Sequence, residues 1–213
     1  MTSLAHRISR RNRHKKWDFF QKTFRPGPED TVLDVGFSEN EYSGYDNYME
    51  KFYPWPQNLT ALGVDEPREI TKRYPGVRFV RYDGRSMPFA DKQFDIGWSN
   101  AVVEHVGPYS RQVEFVRELH RVSRSFFLTT PNFHFPVEVH TRTPLLHWLG
   151  KGVFDRYLRL IGKEWATGDY MYLLSRKNLE SVLRDAGVPH WNVVPNRLGG
   201  FVLDFWVFCA EGR

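Results

Sequence analysis

The sequence predicts an α/β domain with a doubly wound, mostly parallel seven-stranded sheet that closes in an antiparallel C-terminal hairpin. Three apolar runs, 31–37, 59–65 and 77–83, each deliver an aspartate at or near the carboxyl end, which is where open parallel sheets bind their ligands. Their continuous apolar character is expected of strands that helices cover on both faces. Between and after them, apolar stripes at helical spacing supply the alternation of strand and crossover helix.

At 213 residues the chain is long enough for one well-buried core and short for two. The expected division is a basic arm and helix over 1–25 and a single domain over 26–213 with an inserted cap at 132–174. The aromatic content of 16% is high, which suits a substrate-lining cap. Cys209 is the only cysteine, so neither an intrachain disulfide nor a cysteine-built metal site can form. No apolar run approaches a spanning length and the N-terminus lacks the apolar core of a signal peptide, so a cytoplasmic protein is expected. Its formal charge of +5 sits in the arm, where eight basic residues from Arg7 to Arg25 face Asp18 alone. Such an arm suits an anionic surface, a peripheral membrane contact before nucleic acid, or serves as a solvated tail.

Taken in order, Trp17, Phe20 and Phe24 have helical spacing, so a short helix over 14–24 is expected to cover one sheet edge until Pro26-Gly27-Pro28 ends it. The run 31–37 is the first strand, with Gly36 allowing a sharp turn. Residues 45–53 suit the first crossover helix, which Pro54 and Pro56 stop. Runs 59–65 and 77–83 are the second and third strands. Ile96–Asn100 is the fourth and delivers Ser99 and Asn100 to the same edge. Val113, Val116 and Leu119 form the stripe of the next helix, and 126–130 is the fifth strand. A connection of roughly forty residues then exceeds ordinary loop length, and long connections at a ligand edge form lids or platforms. Ser175 caps a helix that ends near Gly187, and 191–194 and 201–210 are strands whose short link forces a hairpin.

The stretch from Asp34 to Asn100, above all Asp83-Gly84-Arg85-Ser86-Met87-Pro88-Phe89 followed by Phe94-Asp95, resembles the class I methyltransferases that use S-adenosylmethionine, of the methyltransferase type 11 kind. The resemblance covers about the first two thirds of the chain and implies a Rossmann-like fold with S-adenosylmethionine as cofactor. It implies that Asp34, Gly36 and Ser38 lie beneath the cofactor's amino-acid end. Asp65 would serve the ribose, Asp83, Gly84 and Arg85 the adenine, and Ser99 and Asn100 the methionine end. The first loop departs from the family's glycine-rich pattern: Gly36-Phe37-Ser38-Glu39-Asn40-Glu41-Tyr42-Ser43-Gly44 has no second glycine until Gly44. That departure argues against a dinucleotide fold, whose pyrophosphate needs the glycine-rich approach.

Methyl transfer from a sulfonium needs alignment, exclusion of water and, for a hydroxyl or amine acceptor, removal of a proton. Candidate catalytic groups are His105 after the fourth strand and Glu138 and His140 in the insertion, where alternation would put His134, Glu138 and His140 on one face of an extended segment. No metal site is assigned, because no tight helical ligand pair is present. The resemblance further implies a small-molecule or a lipid- or glycan-linked acceptor. The rival readings are a non-catalytic binding or scaffold protein that keeps the fold and a nicotinamide oxidoreductase, which the missing glycine fingerprint disfavours.

Overall fold

A computed structural model describes residues 4–210, with side chains from Arg7 onward. In chain order the elements are α1 (Leu4–Phe24), β1 (Val32–Val35), α2 (Tyr48–Phe52), β2 (Leu59–Gly63), α3 (Glu69–Arg73), β3 (Arg78–Arg81), β4 (Phe94–Asn100), α4 (Tyr109–Val122) and β5 (Ser123–Pro131). They continue with β6 (Val137–Glu138), β7 (Thr143–Pro144), α5 (Lys151–Leu160), α6 (Arg176–Asp185), β8 (Asn192–Leu198) and β9 (Phe201–Cys209). Seven strands form one sheet in the order β3-β2-β1-β4-β5-β9-β8. The first five are parallel, β9 runs antiparallel to β5, and β8 pairs antiparallel with β9. The chain winds outward from β1 to β3 and then returns to β4 on the other side of β1, which opens a crevice at the carboxyl ends of β1 and β4.

Alternation along buried strands builds two cores. Leu33, Val35 and Leu62 pack with Val116 and Leu119 of α4 and Leu179 and Val182 of α6. Val32, Leu59, Ala61 and Trp98 face the other way, onto Phe20 of α1, Met49 of α2 and Ile70 of α3. Each fully buried side chain of this size contributes about 1.5–3 kcal/mol, so both helical layers are held chiefly by apolar burial.

Two local expectations differ from the structure. The N-terminal helix is longer than 14–24 and lies across a face of the sheet instead of an edge. Its rings explain the placement: Phe20 meets Trp98 at 5.0 Å and Phe19 meets Trp206 at 5.1 Å between ring centroids, so β4, β5 and β9 are all covered. The first crossover helix keeps only Tyr48–Phe52, because Asn47 has a left-handed backbone (φ 49°) and its side chain is spent on the preceding loop.

The two ends of the connection 132–174 are tied to each other and to the turn after β4. Phe133 N–H donates to Leu174 O at 3.0 Å and Tyr172 N–H to Glu104 O at 2.7 Å. Inside it β6 and β7 pair as a two-stranded ribbon, and Phe154, Leu158, Ala166 and Met171 form a small core. Among the described residues no helix is long and apolar enough to cross a membrane.

Candidate active site

The site begins where β1 ends. Gly36 has φ +117°, and a Cβ there would collide with Val102 Cγ2, so this turn requires glycine. Phe37 turns away from the crevice: its buried ring lies under Gly63, where an added Cβ would sit 2.7 Å from it, and edge-on to Phe79 at 5.2 Å. The missing glycines are thus replaced by a side chain that leaves the site for the core.

Polar side chains hold the rest of this loop. Ser38 N–H donates to Asn47 Oδ1 at 2.9 Å, and Glu39 N–H to Asp65 Oδ2 at 3.1 Å. The Glu39 carboxylate accepts from the backbone amides of Arg68, Glu69 and Ile70 at the start of α3. The Glu69 amide bond is the chief reason that this carboxyl titrates below its ordinary range. Glu41 pairs with Lys51 at 3.0 Å and Arg73 at 2.8 Å and accepts from Tyr74 Oη at 2.9 Å.

Beneath the loop, Asp34 and Glu50 form a buried carboxyl pair. Burial first, and then the neighbouring Glu50, push the Asp34 carboxyl well above its ordinary range, and burial raises Glu50 as well. Two buried carboxyl groups so placed favour their neutral forms, and neither Glu50 oxygen meets a hydrogen-bond partner.

Across the crevice, Asn100 Oδ1 accepts from Lys16 Nζ at 2.9 Å and from Thr129 Oγ1 at 2.8 Å. Lys16 is 5% exposed and pairs with Asp204 at 2.9 Å, so the charge of the basic segment is not segregated from the sheet's carboxyl edge. Asp204 in turn accepts from Asn12, Asn196 and Trp206 Nε1. This network joins α1, β4, β5, β8 and β9 at one point.

The short turn after β4 carries Glu104 and His105. Glu104 is fully buried, and its Oε2 accepts from Thr130 Oγ1 at 3.0 Å. His105 Nδ1 donates to Tyr170 O at 2.8 Å, and its Nε2 lies 3.1 Å from His140 Nε2. His140 Nδ1 donates to Glu138 Oε1 at 2.8 Å. Glu138 also accepts from the Thr141 amide and hydroxyl, both at 2.6 Å. Burial works against the Glu138 charge, yet the bonds from His140 and Thr141 hold its pKa down at about 2. Burial lowers the His105 ring, whereas for His140 burial is outweighed by Glu138 and Glu104, which raise it.

A cavity of about 570 Å³ occupies the crevice. Of the residues expected to form the site, Asp34, Gly36, Ser38, Asn100, His105 and His140 line it. Asp65, Asp83, Gly84 and Arg85 lie outside it along the same sheet edge: Asp65 holds the Glu39 amide, and Asp83 accepts from Arg85 N–H at 2.9 Å across its own turn. Ser99 is fully buried within β4. Glu138 sits behind His140, while His134 is exposed and apart from both. Arg13, Tyr170 and Arg142 line the cavity without having been expected. A second, more apolar cavity of about 510 Å³, walled by Ile8, Phe135, Val137 and Leu203, shares Ser9, Arg13, Asn100, Ala101, His140 and Arg142 with the first.

Residues 43–125 match the family model described as a methyltransferase domain. Over that segment the chain is similar to methyltransferase domains. Solved structures of this fold cover nearly all of it. A putative methyltransferase of Haloferax volcanii, in complex with the Trm112 methyltransferase activator, is 14% identical, with a TM-score of 0.60 and coverage of 97% of this chain and 94% of that one. A possible histamine N-methyltransferase of Thermotoga maritima is 12% identical, with a TM-score of 0.59 over 98% and 92%. The 1,6-didemethyltoxoflavin-N1-methyltransferase of Burkholderia thailandensis, with bound 1,6-didemethyltoxoflavin and S-adenosylhomocysteine, is 16% identical, with a TM-score of 0.55 over 92% and 76%. No curated protein matches by sequence. The matched segment runs from the loop after β1 into β5 and so contains α2, α3 and the β4 edge, while α1 and 132–174 lie outside it.

Proposed function

We propose that this domain transfers a methyl group from S-adenosylmethionine to a hydroxyl or amine of a small-molecule or lipid- or glycan-linked acceptor. The observation that carries this reading is the shared wall between two cavities, one polar at the β1–β4 crevice and one more apolar under α1, meeting at Asn100, Ala101 and His140. The cofactor's amino-acid end fits beside Asp34, Gly36 and Ser38. Its ribose and adenine follow the sheet edge toward Asp65 and the Asp83–Arg85 turn. The acceptor's apolar body fits among Ile8, Phe135, Val137 and Leu203 and presents its nucleophile at the junction.

There S-adenosylmethionine would supply the methyl group to the acceptor's lone pair, and the His105–His140 pair would take the acceptor's proton. Glu138 acts behind His140 as its positioning carboxylate. Segment 132–174 closes over the junction and excludes water. Calorimetric titration with S-adenosylhomocysteine tests the reading. Wild-type protein is expected to bind one equivalent, and Asp34→Ala to weaken binding about tenfold, the loss of ~1.4 kcal/mol expected for a buried polar contact. Absence of binding to folded wild-type protein would favour a scaffold that keeps the fold.

A further inference from the structure

Glu104 Oε1, His105 Nε2 and His140 Nε2 converge as three acceptors with no donor among them. A carbonyl oxygen can only accept, so the 2.8 Å contact of His105 Nδ1 with Tyr170 O puts the hydrogen on Nδ1 and leaves Nε2 with a lone pair. The same reasoning at His140, whose Nδ1 faces Glu138 Oε1 at 2.8 Å, turns its Nε2 toward the same point. Glu104 is fully buried, and its Oε1 has no hydrogen-bond partner. A single proton between the rings, 3.1 Å apart, satisfies the nitrogens. It leaves Glu104 Oε1 unmet, because that oxygen stands 3.7 Å from His140 Nε2 and 3.9 Å from His105 Nε2.

We propose that these three side chains bind one divalent first-row transition-metal cation. A point equidistant from atoms spaced at 3.1, 3.7 and 3.9 Å lies about 2.1 Å from each, which is the bond length of such an ion to imidazole nitrogen and carboxylate oxygen. The surrounding shell is that of a metal site: each ring donates its other N–H to an oxygen, one a carbonyl and one a carboxylate, fixing tautomer and orientation. Two imidazoles with one carboxylate favour zinc, manganese, iron or cobalt over magnesium, which prefers oxygen ligands. Both rings border the crevice cavity, so the remaining coordination positions open onto it. The exchangeable ligand is water or an oxygen of the acceptor, and the ion and the acceptor's proton are alternative occupants of the two Nε2 lone pairs; this last consequence rests on the methyltransferase reading, whereas the site itself does not. The sequence hides the site because Glu104 and His105 are adjacent and His140 arrives from a segment 35 residues further on.

Cobalt(II) titrated into chelator-treated protein tests the proposal by calorimetry and visible absorption. Wild type is expected to take up one equivalent with a ligand-field band, His105→Ala and His140→Ala to weaken uptake about 100-fold, and His134→Ala to leave it unchanged. Glu104→Gln should weaken it at least tenfold. If that buried variant does not fold, the two histidine variants at the cavity wall carry the result, with circular dichroism as the check. No saturable uptake by folded wild type, or uptake that survives both histidine substitutions, overturns the site. Titration of the same preparations with S-adenosylhomocysteine separates this from the donor reading: a protein that binds S-adenosylhomocysteine and no cobalt rejects the cation site alone.

Discussion

Asp34 and Glu50 place two carboxyl groups together in the interior, where the charged form is disfavoured, and a neighbouring carboxylate adds to the effect for Asp34. Both folded-state pKa values lie above those of the unfolded chain. The stability that protonation supplies is therefore complete below the ordinary carboxylate range and is lost as pH rises through the folded values. Replacing Glu50 with Gln keeps the shape and removes one ionisation. Glu50→Gln is expected to melt higher than wild type at pH 8, by about 2–4 °C for each kcal/mol recovered, with the difference shrinking toward pH 4; equal differences at both pH values would mean that the pair is not protonated in the fold. Asp34 was legible because an aspartate ending a buried strand points to a ligand edge. Glu50 was not, since within a crossover segment it reads as a solvent-facing helical residue. His140 and Glu138 were found through alternation, but His134 falls out of that set because the turn from Asn132 to Phe135 precedes β6 and breaks the extended phase.

Among the elements, α1 departs most from expectation. Asn12, Lys16, Phe20 and Phe24 are four residues apart and share one face, so the stripe that buries Phe20 and Phe24 also carries Lys16 inward. A lysine in a basic run suggests solvent, and its partner Asp204 lies at the far end of the chain, so only the i+4 series hinted at burial. Breaking a buried ion pair from one side leaves an uncompensated charge, at a cost of about 3–5 kcal/mol. Lys16→Met and Asp204→Asn should each destabilise by roughly that amount, and the double variant should cost less than their sum by at least ~1 kcal/mol. Denaturant unfolding of the four proteins measures it, and strict additivity would show that the two groups are not coupled. Because Ser9 and Arg13 line the crevice cavity, α1 belongs to the site's wall and is more than an electrostatic arm.

For the molecule as a whole, the seven strands, their mostly parallel arrangement and the closing hairpin were all readable, since buried strands between turn signals leave a strong pattern. The strand order was not read, because periodicity says which residues are buried and not which strand lies beside which. What escaped entirely is convergence: the cavities, the Glu104–His105–His140 cluster and the Lys16 network each join residues that are remote in sequence. Such groups become visible only once the sheet sets its two edges.

The Glu39 carboxylate grips α3 by its main chain, through the amides of Arg68, Glu69 and Ile70. An alanine scan of that five-residue helix would remove none of these donors and would score the contact as absent. Isotope exchange sees it directly. Those three amides should be slow to exchange deuterium in wild type and fast in Glu39→Ala, while Arg68→Ala leaves them slow; equal rates in all three proteins would rule the clamp out. Measured by mass spectrometry, the exchange rate of these three amides then reports whether the loop beside the β1–β4 crevice is ordered, with no label placed in the crevice itself.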